Sequence, residues 1–216
     1  MRYLLMFGLV VSLVQVASGG MVISEWMYAG TNGEFVEFTN IGPDPVDMTD
    51  WSYSDTDAEP FDVMFGSTFG VVQPGESVIL TEVEPSAFRT AWGLNAGVKI
   101  FGPNTDSNLG RNDMINLYDA AGLLIDTLSY GDQTYPGTVR TNGASCNIPG
   151  TDYGYTVVRL KSEGWLLAWV GDEFGSWAST GGDVGTPGIA PIPEPTTLML
   201  FAFCGLAVAR RRVSIR

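Results

Sequence analysis

Acidic side chains are the most plentiful candidates for chemistry in this chain. The sequence contains no histidine. Ser-His-Asp and Cys-His catalysis and histidine-ligated metal sites are therefore excluded. No Gly-x-Ser-x-Gly elbow and no phosphate-binding or dinucleotide-binding glycine motif occurs. Catalysis would depend on carboxylates, as in glycoside hydrolysis, where two carboxyl groups flank the scissile bond. Glu25 and Glu37 lie in neighbouring predicted strands and are the best candidates for such a pair.

A structural role for Glu25 and Glu37 is the interpretation that we favour. In this interpretation the two carboxylates accept hydrogen bonds from loop backbone at the edge of a β-sandwich. We therefore predict no catalytic residue and regard a carboxylate-based hydrolase as the least favoured function. Substitution of both residues separates the two roles, because a catalytic pair loses turnover while the fold survives.

Two acidic segments offer oxygen ligands to a hard cation. The first contains Asp55, Asp57, Glu59 and Asp62, and the second covers residues 104–108. Ca²⁺ takes six to eight oxygen ligands, of which alternating acidic residues supply several. The second segment is not an EF-hand loop, because its glycine comes at Gly110, one position too late. The alternative is that both segments are solvated loops and that the protein has no cofactor.

Aromatic residues crowd a late segment of the chain. Trp165, Trp169 and Trp177, with Phe174 among them, lie beside glycine and aspartate residues. Exposed aromatic rings in such a setting stack on sugars, which makes these tryptophans candidate glycan contacts. The alternative is that they fill the core of a small β domain.

Two cysteines are present, and we expect no disulfide between them. Cys204 lies in an apolar segment near the C-terminus, so Cys146 has no partner in the domain. We interpret Cys146 as a buried small residue, since no histidine accompanies it as a catalytic base.

The N-terminus has the pattern of an export signal. Arg2 precedes an apolar stretch from Tyr3 to Val16, and Ala17-Ser18-Gly19 supplies small residues for cleavage. Residues 1–19 are therefore predicted to be a signal peptide, with the mature chain beginning near Gly20 or Met21. A permanent N-terminal anchor is the alternative.

The C-terminus combines a short motif, an apolar stretch and a basic cluster. Pro193, Glu194 and Pro195 precede the apolar residues 196–209, and Arg210, Arg211 and Arg212 follow in the basic tail 210–216. A helix of this length spans roughly 21 Å, against about 30 Å of hydrocarbon. The pattern predicts one short transmembrane helix whose arginines stay in the cytoplasm. A core helix is the alternative, but the segment lacks polar residues at helical spacing.

The charge of the central region excludes several partners. Residues 21–190 carry 23 acidic and six basic residues, a net charge of −17. Such a surface repels the phosphates of nucleic acid and anionic lipid alike. It suits one exported domain of about 170 residues, which is long enough to bury a core.

Short β-rich stretches separated by glycine and proline predict the fold. The predicted strands are 22–28, 34–41, 46–53, 77–81, 98–101, 114–118, 123–130 and 155–160, with one short helix at 85–93. Gln73-Pro74-Gly75-Glu76 has the pattern of a type II turn. Asp119-Ala120-Ala121-Gly122 makes a tight link. Residues 164–188 are expected to be irregular. The pattern predicts an all-β, antiparallel β-sandwich.

The C-terminal pattern resembles the PEP-CTERM sorting signal of bacterial exported proteins, over residues 191–216. The resemblance implies recognition by an exosortase, a membrane enzyme that cleaves near the motif after export. It also implies a place at the cell envelope or in the extracellular polysaccharide, with transient anchoring in the membrane.

The central region resembles a lamin-tail domain over residues 21–189. The resemblance rests on Val22-Ile23-Ser24-Glu25, on residues 33–40 and 45–51, and on the later segments 73–78, 115–119 and 185–188. It implies an immunoglobulin-like β-sandwich and is tied to no single activity. Residues 55–70 and 102–111 depart from the family pattern as longer loops.

These observations together predict an exported, non-catalytic structural or interaction module of the envelope or extracellular matrix. Its expected partners are the export machinery, the exosortase, the membrane, and extracellular polysaccharide or envelope proteins, but not nucleic acid. A Ca²⁺-dependent carbohydrate-binding module is the first alternative, and a hydrolase is the second.

Overall fold

Two β-sheets face each other across the main core of the domain. The computed structural model describes residues 20–56, 59–134, 140–147 and 165–189. Within these residues the strands form a six-stranded sheet, a four-stranded sheet and two two-stranded ribbons. One short helix accompanies them. The predicted all-β, immunoglobulin-like sandwich is confirmed.

The strands are short, as expected from the dense turn residues. They are β1 (Met21–Met27), β2 (Phe35–Asn40), β3 (Val46–Asp47), β4 (Ser52–Ser54), β5 (Val63–Met64), β6 (Val71–Val72), β7 (Ser77–Thr81), β8 (Lys99–Phe101), β9 (Asn112–Tyr118), β10 (Leu124–Gly131), β11 (Cys146–Asn147), β12 (Leu166–Leu167), β13 (Trp177–Ala178) and β14 (Val184–Gly185). The six-stranded sheet has the order β12-β11-β1-β2-β7-β8, and the four-stranded sheet has the order β10-β9-β4-β5.

The main core lies between the two sheets and is rich in aromatic residues. Trp26 from β1 packs on Tyr130 from β10, with ring centroids 3.9 Å apart. Phe38 from β2 contacts Phe65, at 6.0 Å between centroids. Large buried rings of this kind supply much of the burial free energy of a small β domain.

A second apolar cluster covers the other face of the six-stranded sheet. Helix α1 (Pro85–Trp92) places Phe88 and Trp92, one turn apart, against Phe35 of β2. Proline at the start and Gly93 at the end delimit the helix. Gly93 has a φ of 66°, and Leu94 N–H donates to the Arg89 carbonyl, as in a Schellman cap. The predicted helix is confirmed.

One strand pair is parallel, which corrects the expectation of a wholly antiparallel sandwich. Strand β8 pairs with β7 in parallel, with Ile79 opposite Ile100. A parallel pair needs a crossover connection, and α1 supplies it on the outer face of the sheet. The sequence predicts both strands and the helix but contains no local signal for this orientation.

The predicted strand over residues 46–53 is also corrected, because it divides into β3 and β4. Trp51 N–H donates to the Met48 carbonyl, and Asp50 between them has a φ of 60°. Aspartate tolerates this left-handed conformation better than most residues. Strand β3 then joins β6 in a ribbon, while β4 enters the four-stranded sheet.

The predicted turns and the remaining strands agree closely with the structure. Strand β7 has the predicted bounds, and Glu76 N–H closes the turn on the Gln73 carbonyl, with Gly75 at a φ of 81°. Gly122 N–H donates to the Asp119 carbonyl in the tight link before β10. Three two-residue strands lie within the segment 164–188, which was expected to be irregular.

Both predicted targeting segments and the predicted strand 155–160 lie outside the described residues. Across the four described ranges, no helix is long and apolar enough to cross a membrane.

Candidate functional site: the buried carboxylates

Glu25 and Glu37 lie side by side inside the domain. They are direct partners in the β1–β2 ladder, immediately after an irregularity in register between Ile23 and Glu25. Both side chains are completely buried. The sequence-based expectation that the two residues are neighbours is therefore met.

Each carboxylate accepts hydrogen bonds from the last described segment of the chain. We call residues 184–189 the closing strap. Thr186 N–H donates to Glu25 Oε1 at 2.7 Å, and Gly188 N–H donates to Glu37 Oε2 at 2.5 Å. These bonds pin the strap to the two central strands of the six-stranded sheet.

Hydroxyl groups complete the surroundings of the two carboxylates. Ser145 Oγ donates to Glu25 Oε1 at 2.5 Å, and Ser24 Oγ donates to Glu37 Oε1 at 2.7 Å. The Thr39 hydroxyl also lies 2.7 Å from Ser24 Oγ. These donors hold each carboxylate in one orientation and occupy Glu25 Oε1 and both oxygens of Glu37.

Burial raises the pKa of both glutamates above the ordinary value of 4.5. Loss of solvation is the largest cause for each, and the charge of Glu37 raises the pKa of Glu25 further. The hydrogen bonds from Ser145 and Thr186 act in the opposite direction on Glu25. Two like charges on directly paired residues resist simultaneous ionisation, so the pair is expected to retain a proton near neutral pH.

The geometry gives these carboxylates a structural task. A glycosidase pair must leave room for a sugar and a water molecule between its carboxyl groups. Glu25 and Glu37 are enclosed instead, and their oxygens receive backbone and hydroxyl donors. The hydrogen bonds to loop backbone that the sequence favoured are present, but they start from the two central strands of the six-stranded sheet and not from an edge.

A second group of carboxylates surrounds Glu34, the residue immediately before β2. Leu109 N–H donates to Glu34 Oε1 at 2.8 Å. Burial raises the pKa of Glu34 to about 8, against the effect of that hydrogen bond. The charges of Glu82, Asp55 and Asp113 raise it further. Burial and the charge of Asp113 likewise raise the pKa of Asp55 to about 6.

A small crevice adjoins Glu34 but has no room for a water molecule. Tyr53 and Asn104 line it with Glu34. The Tyr53 hydroxyl is buried and has no hydrogen-bond partner among the described residues. The crevice offers no space for a substrate in this structure.

The predicted metal ligands are spread along a loop in the structure. Asp62 accepts a hydrogen bond from Ser107 Oγ, which joins the first acidic segment to the second. Asp55 is half-buried and Glu59 is exposed, while Asp57 lies outside the described residues. In the described ranges no three acidic or cysteine side chains are close enough together to hold a metal ion.

The three candidate tryptophans point to different parts of the domain. Trp165 is buried against Trp26, with centroids 6.2 Å apart. Trp177 packs against Trp92 and donates from Nε1 to its carbonyl at 3.1 Å. Trp169 alone is largely exposed, at 58%. Trp165 and Trp177 therefore pack into apolar clusters, as the core-filling alternative expects, and Trp169 is the one of the three with a largely exposed ring.

Comparison with protein families shows which family this domain belongs to. The family model described as Lamin Tail Domain matches residues 15–132, more than half of the chain. The chain belongs to the Lamin Tail Domain family. A second family model, the PEP-CTERM protein-sorting motif, matches residues 191–213. The protein is therefore an exported protein of the cell envelope whose C-terminal tail carries the sorting signal.

Comparisons with solved structures and with curated proteins do not indicate a function for this chain. A crystal structure of a DUF4876 family protein from Bacteroides thetaiotaomicron is similar at 10% sequence identity and a TM-score of 0.38. The similarity covers 82% of this chain and 73% of that one. No curated protein matches the chain.

The match to the lamin tail domain ends before several residues that donate hydrogen bonds to Glu25 and Glu37. Ser145, Thr186 and Gly188 all come after residue 132, although they bond to β1 and β2. Strands β11 and β12 likewise extend the six-stranded sheet beside β1. The described segment 165–189 is therefore integrated into the folded domain rather than a linker to the sorting motif.

Several structural carboxylates were not singled out from the sequence. Asp126 accepts from Ile23 N–H at 2.8 Å and so connects the two sheets. Asp183 accepts from Thr31 N–H and Asn32 N–H. Asp172 organises its loop by accepting from three backbone amides, those of Trp169, Phe174 and Ser176. The glycine residues around Asp172 and Asp183 are the signal that tight loops need such acceptors.

Proposed function

We propose that this protein is a non-catalytic interaction or structural module, displayed at the cell envelope or in the extracellular matrix. The observation that carries this proposal is the role of Glu25 and Glu37. These best candidates for catalysis are enclosed, and they fasten the closing strap directly before the sorting signal. Their chemistry supports a rigid, anchored domain rather than turnover.

The short distance along the chain between strap and sorting motif supports display close to the membrane. Gly188 is bonded to Glu37, and Pro193 follows only five residues later. A fully extended chain spans at most about 3.6 Å per residue, so the two are within roughly 18 Å of each other. Recognition by exosortase-type machinery then places the folded domain at the membrane surface before processing.

A domain exchange tests the proposal. The sandwich, residues 20–189, is replaced by an unrelated soluble domain of similar size, while both terminal signals are kept. In a host with the sorting machinery, we expect the native protein to be retained in the envelope or matrix fraction more strongly than the exchanged one. Equal retention contradicts an interaction role, because the signals alone then explain the location.

A variant pair tests the non-catalytic part of the proposal. Glu25→Gln and Glu37→Gln are assayed for thermal stability and for hydrolysis of extracellular polysaccharide. We expect altered stability and no turnover in the native protein or in either variant. Native turnover that disappears in a variant with an unchanged melting temperature would establish catalysis instead.

A further inference from the structure

An apolar patch lies on the outer face of the four-stranded sheet. Met64, Ser52, Tyr118 and Leu124 are successive ladder partners across all four strands, and directly paired residues share one face of a sheet. At about 4.8 Å per strand, this row is roughly 14 Å long. Met64 and Leu124, at its two ends, are 40% and 42% exposed, whereas Ser52 and Tyr118 between them are buried.

Two further exposed residues enlarge this row into what we call the outer-sheet patch: Phe61, Met64, Leu123 and Leu124. Phe61 is 49% exposed and Leu123 is 65% exposed. Phe61 N–H donates to Ser52 Oγ at 3.0 Å, which places this residue over the middle of the row. Leu123 directly precedes Leu124 in the sequence. The Phe61 ring lies against Gly122, directly before Leu123 and Leu124 in the sequence, and Met64 lies at the other end of the row.

Phe61 is held on the surface in an unfavourable backbone conformation. Its φ is 75°, a region that bulky side chains rarely adopt. Its ring lies over Gly122, where an added Cβ atom would approach Phe61 Cζ to 2.8 Å. Backbone strain of this kind concentrates at functional sites, and here it keeps an aromatic ring in contact with solvent.

The charge around the patch selects the partner. The four patch residues belong to the sequence segments 52–64 and 112–131, and neither segment contains lysine or arginine. The longer stretch 21–88 has 13 acidic residues and no basic residue. Glu59 and Asp62 are exposed on either side of Phe61 in the sequence. A partner must therefore combine apolar side chains with positive charge.

We propose that the outer-sheet patch binds a cationic amphipathic segment of an envelope or matrix protein, with apolar side chains on Phe61 and Leu124 and flanking lysine or arginine beside Glu59 and Asp62. This proposal rests on the interaction role proposed above and names the surface and the partner chemistry for it. The attraction between net charges accelerates encounter, and the apolar contact fixes the position.

A pair of model peptides tests the surface. The full chain is held in discs of neutral lipid and titrated with a labelled 18-residue Leu/Lys peptide of helical periodicity or with its Leu/Glu counterpart, with empty discs as the blank. We expect the Leu/Lys peptide to bind, more weakly at higher salt, and the Leu/Glu peptide to bind at least tenfold more weakly. Equal binding of both peptides overturns the charge selection, and no binding of either overturns the proposal.

Surface variants locate the binding. Phe61→Ser and Leu124→Ser are each expected to weaken Leu/Lys binding at least tenfold. Val71→Ser and Trp169→Ser, at exposed apolar residues outside the patch, are expected to stay within twofold. Melting curves confirm that each variant is folded. Unchanged binding in both patch variants, or equal losses in all four variants, overturns the proposal.

The two proposals fail in different ways. If envelope retention needs the native sandwich but the peptide ignores Phe61→Ser and Leu124→Ser, the interaction role stands and the outer-sheet patch is excluded. If the exchanged domain is retained as well as the native one, the interaction role itself is excluded.

Discussion

Glu25 and Glu37 face each other across the β1–β2 ladder, and each receives a backbone N–H from the closing strap. The strap comes from the far end of the domain in sequence, 161 residues after Glu25 and 151 after Glu37. Two buried acids thus join the first two strands to the last described segment. The attachment of the closing strap therefore depends on the protonation of these two side chains.

Stability is expected to fall as pH rises, because burial raises the pKa of Glu25, Glu37 and Glu34 in the folded protein. Glu34 changes from an ordinary 4.5 to about 8. The folded state therefore binds more protons than the unfolded state between these values, and the free energy of unfolding decreases with pH through this window. Urea unfolding at pH 5, 6.5, 8 and 9 should show a decline that levels above about pH 8.

The substitution Glu34→Gln is the matched control for this pH dependence. The Gln side-chain oxygen keeps the acceptor for Leu109 N–H, while the ionisation is removed. We expect the variant to lose less stability than the native protein between pH 5 and 8. A native protein that becomes more stable over this range would contradict the assignment of these three carboxyl groups.

Removal of the Glu37 carboxylate should release the closing strap. Glu37→Ala leaves the N–H of Gly188 and the hydroxyl of Ser24 without this acceptor in a buried site. We expect a loss of about 2–4 kcal/mol in the free energy of unfolding. Hydrogen exchange at the Gly188 amide should accelerate more than exchange in β9, because the strap loses its direct attachment.

The control for the strap is Glu84→Ala, at an exposed residue whose side chain makes no capping hydrogen bond to α1. This change should alter stability by less than about 0.5 kcal/mol. If Glu37→Ala behaves like Glu84→Ala, the hydrogen bonds between Glu37 and the strap do not stabilise the domain.

The contact between Phe61 and Gly122 is open to a similar test. Alanine at Gly122 must adopt a φ near 78° and also meets the Phe61 ring at 2.8 Å. Gly182 has a comparable φ of 87° and no atom within 4 Å of an added Cβ. Gly182→Ala should therefore show only the backbone penalty, roughly 1–2 kcal/mol.

The difference between the two glycine variants isolates the Phe61 contact. We expect Gly122→Ala to lower the free energy of unfolding by about 1 kcal/mol more than Gly182→Ala, since the alanine methyl group crowds the ring. Adding Phe61→Ala to Gly122→Ala should remove this excess. Equal effects of the two glycine substitutions would show that the ring moves aside freely.

The sequence predicts the elements of this fold better than their connections. Period-2 apolar residues and glycine or proline turns locate β1, β2, β7, β9 and β10, because these signals are local. The parallel orientation of β8 and the division at Asp50 depend on long-range pairing and on one unusual backbone conformation. Hydrophobic periodicity gives no signal for the orientation of β8 or for the division at Asp50.

The candidate site was predictable in part for a related reason. The neighbouring positions of Glu25 and Glu37 follow from adjacent strands, but their partners Ser145, Thr186 and Gly188 are far away in sequence. The separate environments of Trp165 and Trp177 likewise depend on which cluster each strand reaches. Residue type indicates that a ring or carboxylate needs a partner, whereas only the fold decides which one it finds.

Calcium binding at the first acidic segment stays a prediction, and the structure makes it specific. The Asp62 carboxylate is engaged by Ser107 Oγ, so a cation must compete with this hydrogen bond. Since no three acidic side chains in the described ranges are close enough to hold a metal ion, we expect calorimetry to give at most weak binding for the native protein, with a Kd no lower than roughly 10⁻⁴–10⁻³ M. Ser107→Ala frees the carboxylate and should tighten binding. Asp62→Asn should weaken it, whereas Asp44→Asn, at an exposed acidic residue outside the segment, should not. Binding that is the same in Asp62→Asn as in the native protein would exclude this loop as the site.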